Sequence, residues 1–560
     1  MNMEPTALSH DALKAQLQTA RALVADNQLE QGRAACEVIL AQDPGHFDAL
    51  VLLGVVQSKN QQANAAVEAF CRALEVRPAS HAAYYGLGVA MCQLQQFAAG
   101  IECFDQALVH QPDYAAALCD RASALGELGR WSEALAGYEQ TLALTPQNAE
   151  ALGFRGNALL ALGRVDAAID SLGQSLALDP QAASTHLNLG NAHQAAGDYG
   201  QALASYDRAL ALKPHYLLAY SNRSVALKHL HRLNEALASC EQALALEPGY
   251  ADAQWNKALT LLLKGDLRAG FAGYQWRWKT AAFAAIDRHF PQPLWLGDVP
   301  VAGKTVLLHP EQGLGDTLQF VRYAKAAADL GAHVVLEAEP ALLDLFTGLE
   351  GVATLVRQGD ALPPFDLVCP LLSLPVALGT DLASVPAAVP YLRARAGDQA
   401  TWSQRLGPKT RLRVGLVWSG SPSHKDDHNR SLALATLMGA LPDGAQYVSL
   451  QKEVRASDQA ALEHAGLAHF GPVIGSFSDT AALCACMDVV ISVDTSVAHL
   501  SGALARPTWV LLPYLPDWRW LMDRSDSPWY PSARLYRQST PRDWSAPLAA
   551  VRADVLALMA

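Results

Sequence analysis

At 560 residues the chain exceeds one ordinary domain; at about 150 residues per domain it holds roughly three to four units, or a repeat array plus an enzyme-sized part. It is 51% hydrophobic and 17% charged, against a usual charged fraction of about 25%, which excludes a mostly disordered chain. The net charge of −12 divides into 20 basic and 27 acidic residues up to Ala284 and 22 and 27 beyond it, so no basic body exists and general nucleic-acid binding is excluded. Nucleotide binding needs only a few local groups and stays open. Met1 to Lys14 lacks a basic region followed by an apolar run, and no apolar run approaches the ~18 residues of a spanning helix. The expectation is a cytoplasmic protein with no transmembrane segment. Nine scattered cysteines, none in a CxxC pair, read as reduced core thiols, with no metal site and no cofactor expected.

The first signal along the chain is periodic. Pro44, Pro78, Pro112, Pro146, Pro180, Pro214 and Pro248 are each 34 residues apart. That period is the mark of tetratricopeptide repeats, each a helix–turn–helix unit whose second helix is closed by the proline. Twelve residues before each proline sits a small residue: Gly32, Ala66, Gly100, Ala134, Ala168, Ala202 and Ala236. Small residues there let the second helix pack close to its neighbours. An eighth, altered repeat runs from Ala251 to Ala284, with Gly270 and Tyr274 in register.

Such repeats stack into a superhelix whose first helices line a concave face. Asn188, Asn222 and Asn256 recur at 34-residue spacing, and Asn157 and Asn191 form a second, shorter row. Amides offer a donor and an acceptor, which suits an extended polypeptide in the groove. The other reading is a set of solvated first-helix residues. The rows resemble the asparagine ladder of protein O-GlcNAc transferases.

Composition changes near Phe271. Tyr274–Trp278 and Phe290–Trp295 are aromatic and read as a packed joint, not a floppy linker. Thr305–His309 is then a strand, followed by a Gly-rich turn, a helix and a strand at Val334–Glu339. Val352–Val356 and Phe365–Pro370 suggest further strands. After Pro408 the pattern restarts, with strands expected in Leu412–Gly420, Gln446–Gln451, Asp488–Asp494 and Pro507–Pro513. Two doubly wound α/β units mean two Rossmann-like domains facing a cleft, with ligands beyond the carboxyl ends of the strands.

Chemistry is expected in the turns. Gly313 and Gly315 free the backbone to approach a ligand, and the turn is neither a P-loop nor a full dinucleotide fingerprint. Asp316 is either a general base for an acceptor hydroxyl or an N-cap of its helix. Ser419 ends the first strand of the second domain, and Lys425 and Arg430 follow it. Those two cations suit a diphosphate, or belong to a solvated loop. Asp494, Thr495 and Ser496 end a later strand at a phosphate-compatible helix start. His499, one turn in, either touches the diphosphate or packs against the strand end. Asp517–Gln538, rich in Trp, Arg and Tyr, either closes over the cleft or knits the C-terminal helix to the first domain.

The segments EQGLGDTLQFVRYA (Glu311–Ala324), GLVWSGSPSHKDDHNRS (Gly415–Ser431), YVSLQ (Tyr447–Gln451) and ISVDTSVAHLSGALARPTWVLLP (Ile491–Pro513) together resemble bacterial repeat-containing glycosyltransferases of the heptosyltransferase-like group. The resemblance covers Phe271 to the last residue. It implies a GT-B fold and inverting transfer from a nucleotide-diphosphate sugar without a required metal. It further implies Asp316 as general base and Lys425 and Arg430 on the diphosphate. Asp494, Thr495, Ser496 and His499 would meet the donor phosphate and sugar, and Gln451 would lie near the nucleoside. Ser496 stands where lipopolysaccharide heptosyltransferases often have Gly, so heptose and lipid acceptors do not follow. The catalytic motifs of protein O-GlcNAc transferases are not recognisable.

The chain is thus expected to fold as an α superhelix of repeats over 1–284 followed by an α/β GT-B region. That region comprises an acceptor-side Rossmann-like domain over 285–407 and a nucleotide-sugar-binding one over 408–560. The expected function is glycosyl transfer to a polypeptide held by the repeats. The rivals are a scaffold whose GT-B half has lost activity and a sugar-nucleotide epimerase; a long peptide groove is of no use to the epimerase.

Overall fold

A computed structural model describes residues 10–424 and 426–560. The chain divides into two compact units, Met1–Ala226 and Leu227–Ala560, and the division falls within the helix Leu217–His229.

The first unit is built from antiparallel helix pairs, from His10–Ala25 with Leu29–Gln42 through Ala183–Ala196 with Tyr199–Leu212. The prolines set the helix ends. Every second helix stops two residues before its proline: Gln42, Val76, His110, Leu144, Leu178, Leu212 and Leu246. The residue between them has φ from −129° to −143° and ψ from 77° to 97°. Clash with the proline ring denies that residue the helical region, so the stop is steric. The small residues are required as well. A Cβ on Gly32 would lie 2.6 Å from Val24, and one on Gly100 would lie 2.6 Å from Cys92. Ala66, Ala134, Ala168, Ala202 and Ala236 are fully buried. Glycines of first helices seat aromatic rings: the Phe70 ring lies between Gly54 and Gly86, and the Tyr206 ring lies against Gly190.

The second unit begins with the last repeat helices, Leu233–Leu246, Ala251–Lys264 and Leu267–Tyr274, and continues into two parallel sheets. The first sheet contains β1 (Thr305–His309), β2 (His333–Ala338), β3 (Thr354–Arg357) and β4 (Leu367–Pro370), in the order β3-β2-β1-β4. The second contains β5 (Arg413–Val417), β6 (Gln446–Ser449), β7 (Ala468–His469), β8 (Val489–Val493), β9 (Thr508–Leu512) and β10 (Ala533–Arg537). Its order is β10-β9-β8-β5-β6-β7, so the winding reverses between β5 and β8. The first sheet reverses likewise between β1 and β4. Such reversals open a crevice beyond the carboxyl ends of the strands. Strands β5, β8 and β9 are buried throughout, as strands covered on both faces must be.

The expected strands are present: β1 matches at both ends, and the others have ends shifted by at most three residues. The sequence pattern does not announce β7 and β10. β7 has only two residues, and β10 sits inside the Trp- and Arg-rich segment. The aromatic joint is packed. Phe271 meets Phe320, Trp518 and Trp529 edge-on, and Trp255 packs on Tyr274 at 4.6 Å between ring centroids. Trp295 is buried, and its backbone N–H donates to Val368 of β4.

Candidate functional site

The amide rows lie on first helices and are half-buried. Two of the residues are joined: Asn222 donates to Asn191 Oδ1 at 2.8 Å, and the Tyr206 hydroxyl donates to the same oxygen at 2.9 Å. Asn191 thus links the two rows and is held by its own fold. Asn188 shares the helix Ala183–Ala196 with Asn191, Asn157 lies on the preceding first helix, Ala149–Ala161, and Asn256 belongs to the second unit.

In the second unit the turn after β1 runs into the helix Leu314–Phe320. Gly313 is the N-cap and Asp316 the third helical residue, so Asp316 serves the helix from inside it. The Gly313 N–H donates to Asp316 Oδ2 at 2.9 Å, half of a capping box. Gly315 is placed against protein. A Cβ there would lie 3.1 Å from His499 and 3.5 Å from Ser496, so the glycine lets this helix approach the helix Ser496–Ala503. The Gly-rich turn of the first sheet and the Asp494–His499 turn of the second therefore meet.

Asp316 has a second partner, Arg519, whose Nη2 donates to Asp316 Oδ1. Arg519 is itself buried, with Nε on Gln319 Oε1 at 2.8 Å and Nη1 on Asp517 Oδ1 at 2.9 Å. Burial raises the pKa of Asp316, Arg519 opposes that rise, and Asp517 adds to it. Asp494 is pushed up to about 6 by burial and by Asp517, against the pull of Arg430 and Arg519.

His499 packs. Its Nδ1 shares a hydrogen bond of 3.0 Å with the Tyr530 hydroxyl, and its ring stacks on Trp520. Burial, with Arg519, Arg322 and Arg430 nearby, drives its pKa far down, so the ring is neutral and brings no charge to a phosphate. Thr495 is the N-cap of its helix, and its hydroxyl lies 3.2 Å from Ser492 Oγ. Ser496 opens that helix.

Arg430 donates to the Asp494 carbonyl at 2.8 Å and to Asp427 Oδ1 at 3.3 Å. Arg455 donates to Asp427 Oδ2 and to the Gly420 carbonyl, so both guanidiniums tie down the turn after β5. Gln451 Nε2 donates to the Ser419 carbonyl at 2.9 Å. The Ser419 hydroxyl is buried without a partner among the described residues. Lys425 lies outside the described residues.

Sequence reasoning missed four cations. Besides Arg519 and Arg455, Arg322 is buried among Tyr391, Trp529 and Tyr530, and donates to the Trp529 carbonyl at 2.7 Å. Lys228, at the end of the helix Leu217–His229, has its pKa lowered by burial, with Asp426 and Asp517 opposing. His231 beyond it stacks on Tyr514 at 3.9 Å. Only the cluster of Trp and Arg at Asp517–Gln538 signalled any of these. That segment supplies Arg519, the edge strand β10 and two of the three rings around Arg322, Trp529 and Tyr530. Behind the site, Glu311 forms a fully buried ion pair with Arg277 at 2.8 Å. Among the described residues no group of three or more His, Cys, Asp and Glu is arranged to hold a metal ion.

Comparison with known proteins bears on the first half. The tetratricopeptide repeat family matches over residues 56–115 and 183–216, and a further TPR repeat family over 156–197. The N-terminal half carries tetratricopeptide repeats. Protein FlbA of Caulobacter vibrioides is 26% identical over 307 residues, which are 50% of this chain and 51% of that protein. The chain spans about half the length of this curated relative. Among solved structures, the thermophilic TPR protein TTC0263 of Thermus thermophilus is 27% identical, over 33% of this chain and 100% of its own, with a TM-score of 0.29. The APC/C assembly Cut9–Hcn1 is 19% identical over 49% of this chain and 54% of its own, with a TM-score of 0.39. No described helix is long and apolar enough to cross a membrane.

Proposed function

We propose that the chain is a cytoplasmic inverting glycosyltransferase with a GT-B fold. It moves a sugar from a nucleotide-diphosphate sugar to a polypeptide held by the repeats, without a required metal. In this reading 285–407 and 408–560 are the acceptor-side and donor-side Rossmann-like domains. The observation that carries it is the meeting of two strand-end turns, Gly313–Asp316 from one sheet and Asp494–His499 from the other. Paired crevices of this kind suit a reaction that joins two substrates.

The chemistry follows from the groups present. Asp316 takes the proton of the acceptor hydroxyl as its oxygen bonds to the anomeric carbon. The bond from that carbon to the diphosphate breaks, and its electron pair leaves with the nucleoside diphosphate. Arg430 and the amides at Thr495 and Ser496 stabilise the departing charge, and Lys425 is assigned the same role. Gln451 and Ser419 border the nucleoside side.

The test begins with thermal shifts in UDP, GDP, ADP, CMP and dTDP, followed by transfer assays with the matching sugar donor. One nucleotide is expected to stabilise the protein. Asp316→Asn is expected to keep that binding while losing about 10²–10⁴-fold in turnover. Unchanged turnover would remove Asp316 from the chemistry.

A second reading is a repeat scaffold with a non-catalytic second half. It is favoured by one observation: both Asp316 oxygens already have structural partners, Gly313 and Arg519. Stabilisation by none of the nucleotides would select it.

A further inference from the structure

Asp316 is held at both oxygens from different parts of the chain. Oδ2 accepts from the Gly313 N–H of its own turn, and Oδ1 accepts from Arg519, 203 residues later. Arg519 cannot wander, because Gln319 fixes its Nε and Asp517 its Nη1, and its side chain is 8% exposed. Its guanidinium lies 4.2 Å from the Trp518 ring centroid and 5.7 Å from that of Phe320. An aromatic wall of this kind holds the cation in one plane.

We propose that Arg519 is the positioning residue for Asp316: it fixes the direction of the carboxylate and sets a positive charge against it in a buried site. The proposal rests on the glycosyltransferase reading and names a residue that the reading lacked. Without Arg519 the groups facing Asp316 are mostly unfavourable to its charge. Asp517 faces it from the Trp518–Trp520 turn, and Glu311 and Glu339 from the ends of β1 and β2, while Tyr274, from the last repeat helix, has its pKa raised and is a neutral phenol. Among the described residues the Gly313 N–H and His424, from the loop after β5, still favour the charge. A neutral Asp316 has no lone pair basic enough to take a hydroxyl proton, so loss of Arg519 acts on the base without touching the substrate.

The experiment uses the full chain with Arg519→Gln and Arg519→Lys, each first shown by circular dichroism and thermal unfolding to be folded. Transfer is measured against pH. Arg519→Gln is expected to move the acid limb of kcat/KM upward by about one pH unit or more. At a pH on that limb this is about a tenfold loss, shrinking toward higher pH. Arg519→Lys, which keeps the charge, is expected to restore most of the limb. In parallel the protonated-carboxyl infrared band of Asp316, assigned by its loss in Asp316→Asn, is titrated in each variant. An unmoved limb and an unmoved band in Arg519→Gln would overturn the proposal, as would an equal loss at every pH. If no donor supports transfer, the enzymatic reading falls, and the infrared titration still decides whether Arg519 sets the ionisation of Asp316.

Discussion

The two units are held together over different distances along the chain. In the repeats the polar contacts are short-range: Arg121 to Asp105 spans 16 residues, Asn222 to Asn191 spans 31 and Tyr85 to Asp120 spans 35. In the second unit Arg430 reaches Asp494 across 64 residues, Arg519 reaches Asp316 across 203 and Arg322 reaches the Trp529 carbonyl across 207. A repeat array is close to a sum of neighbouring interfaces, so damage in it stays local. The α/β unit concentrates its long connections around one crevice. Damage there spreads to the site.

The largest expected break in this contrast is Arg277→Met. It strands Glu311 as a buried unpaired carboxylate, whose pKa burial already raises. The second unit is expected to lose about 3–5 kcal/mol. Denaturant unfolding with tryptophan fluorescence measures it, and a change below about 1 kcal/mol would show the pair to be dispensable.

Next comes a pH effect. Asp494 has its pKa pushed up to about 6, above the usual carboxylate value, so the folded state holds its proton where the unfolded state has released it. Stability therefore falls as pH rises from about 4 to about 6 and is level above that. The amplitude is on the order of 3 kcal/mol. Asp494→Asn is expected to flatten this slope; a wild-type slope in the variant would assign it elsewhere.

In the repeats Gly190→Ala drives a methyl into the Tyr206 ring, 2.4 Å away. A loss of about 1–3 kcal/mol is expected, seen as a lower Tm, with the nucleotide binding proposed for the second unit unchanged. The smallest effect belongs to Asn222→Ala. It removes one hydrogen bond from Asn191, which keeps Tyr206, and is expected to cost about 1 kcal/mol. If Asn222 also meets a bound peptide, peptide affinity falls more than stability does.

The same contrast decides how much is legible beforehand. The ends of the repeat helices follow from chain-local sterics, and Pro44 to Pro248 spell them out. The seats of Gly32 and Gly100 are legible for the same reason. Strands such as β5 and β8 declare themselves as continuous apolar runs. The site is half legible. Asp316, Arg430 and Asp494 stand at strand ends, where a pattern can point. Arg519 carries no such mark: it lies inside a run of aromatic residues, and its importance comes from a partner 203 residues away. Gly315 reads as room for a ligand because a lone sequence cannot say that His499 lies opposite. Asn191 reads as a groove amide because its bond to Asn222 arises only on stacking.

The proline stops have one more consequence. Because a ring clash ends each second helix, every repeat boundary is the same joint, set by the two residues around it. Cutting the chain at two successive prolines and rejoining it removes 34 residues and recreates a joint of the same kind. The array is a ruler graduated in whole repeats. Its length can change by units during descent, or by design, with no seam to reinvent.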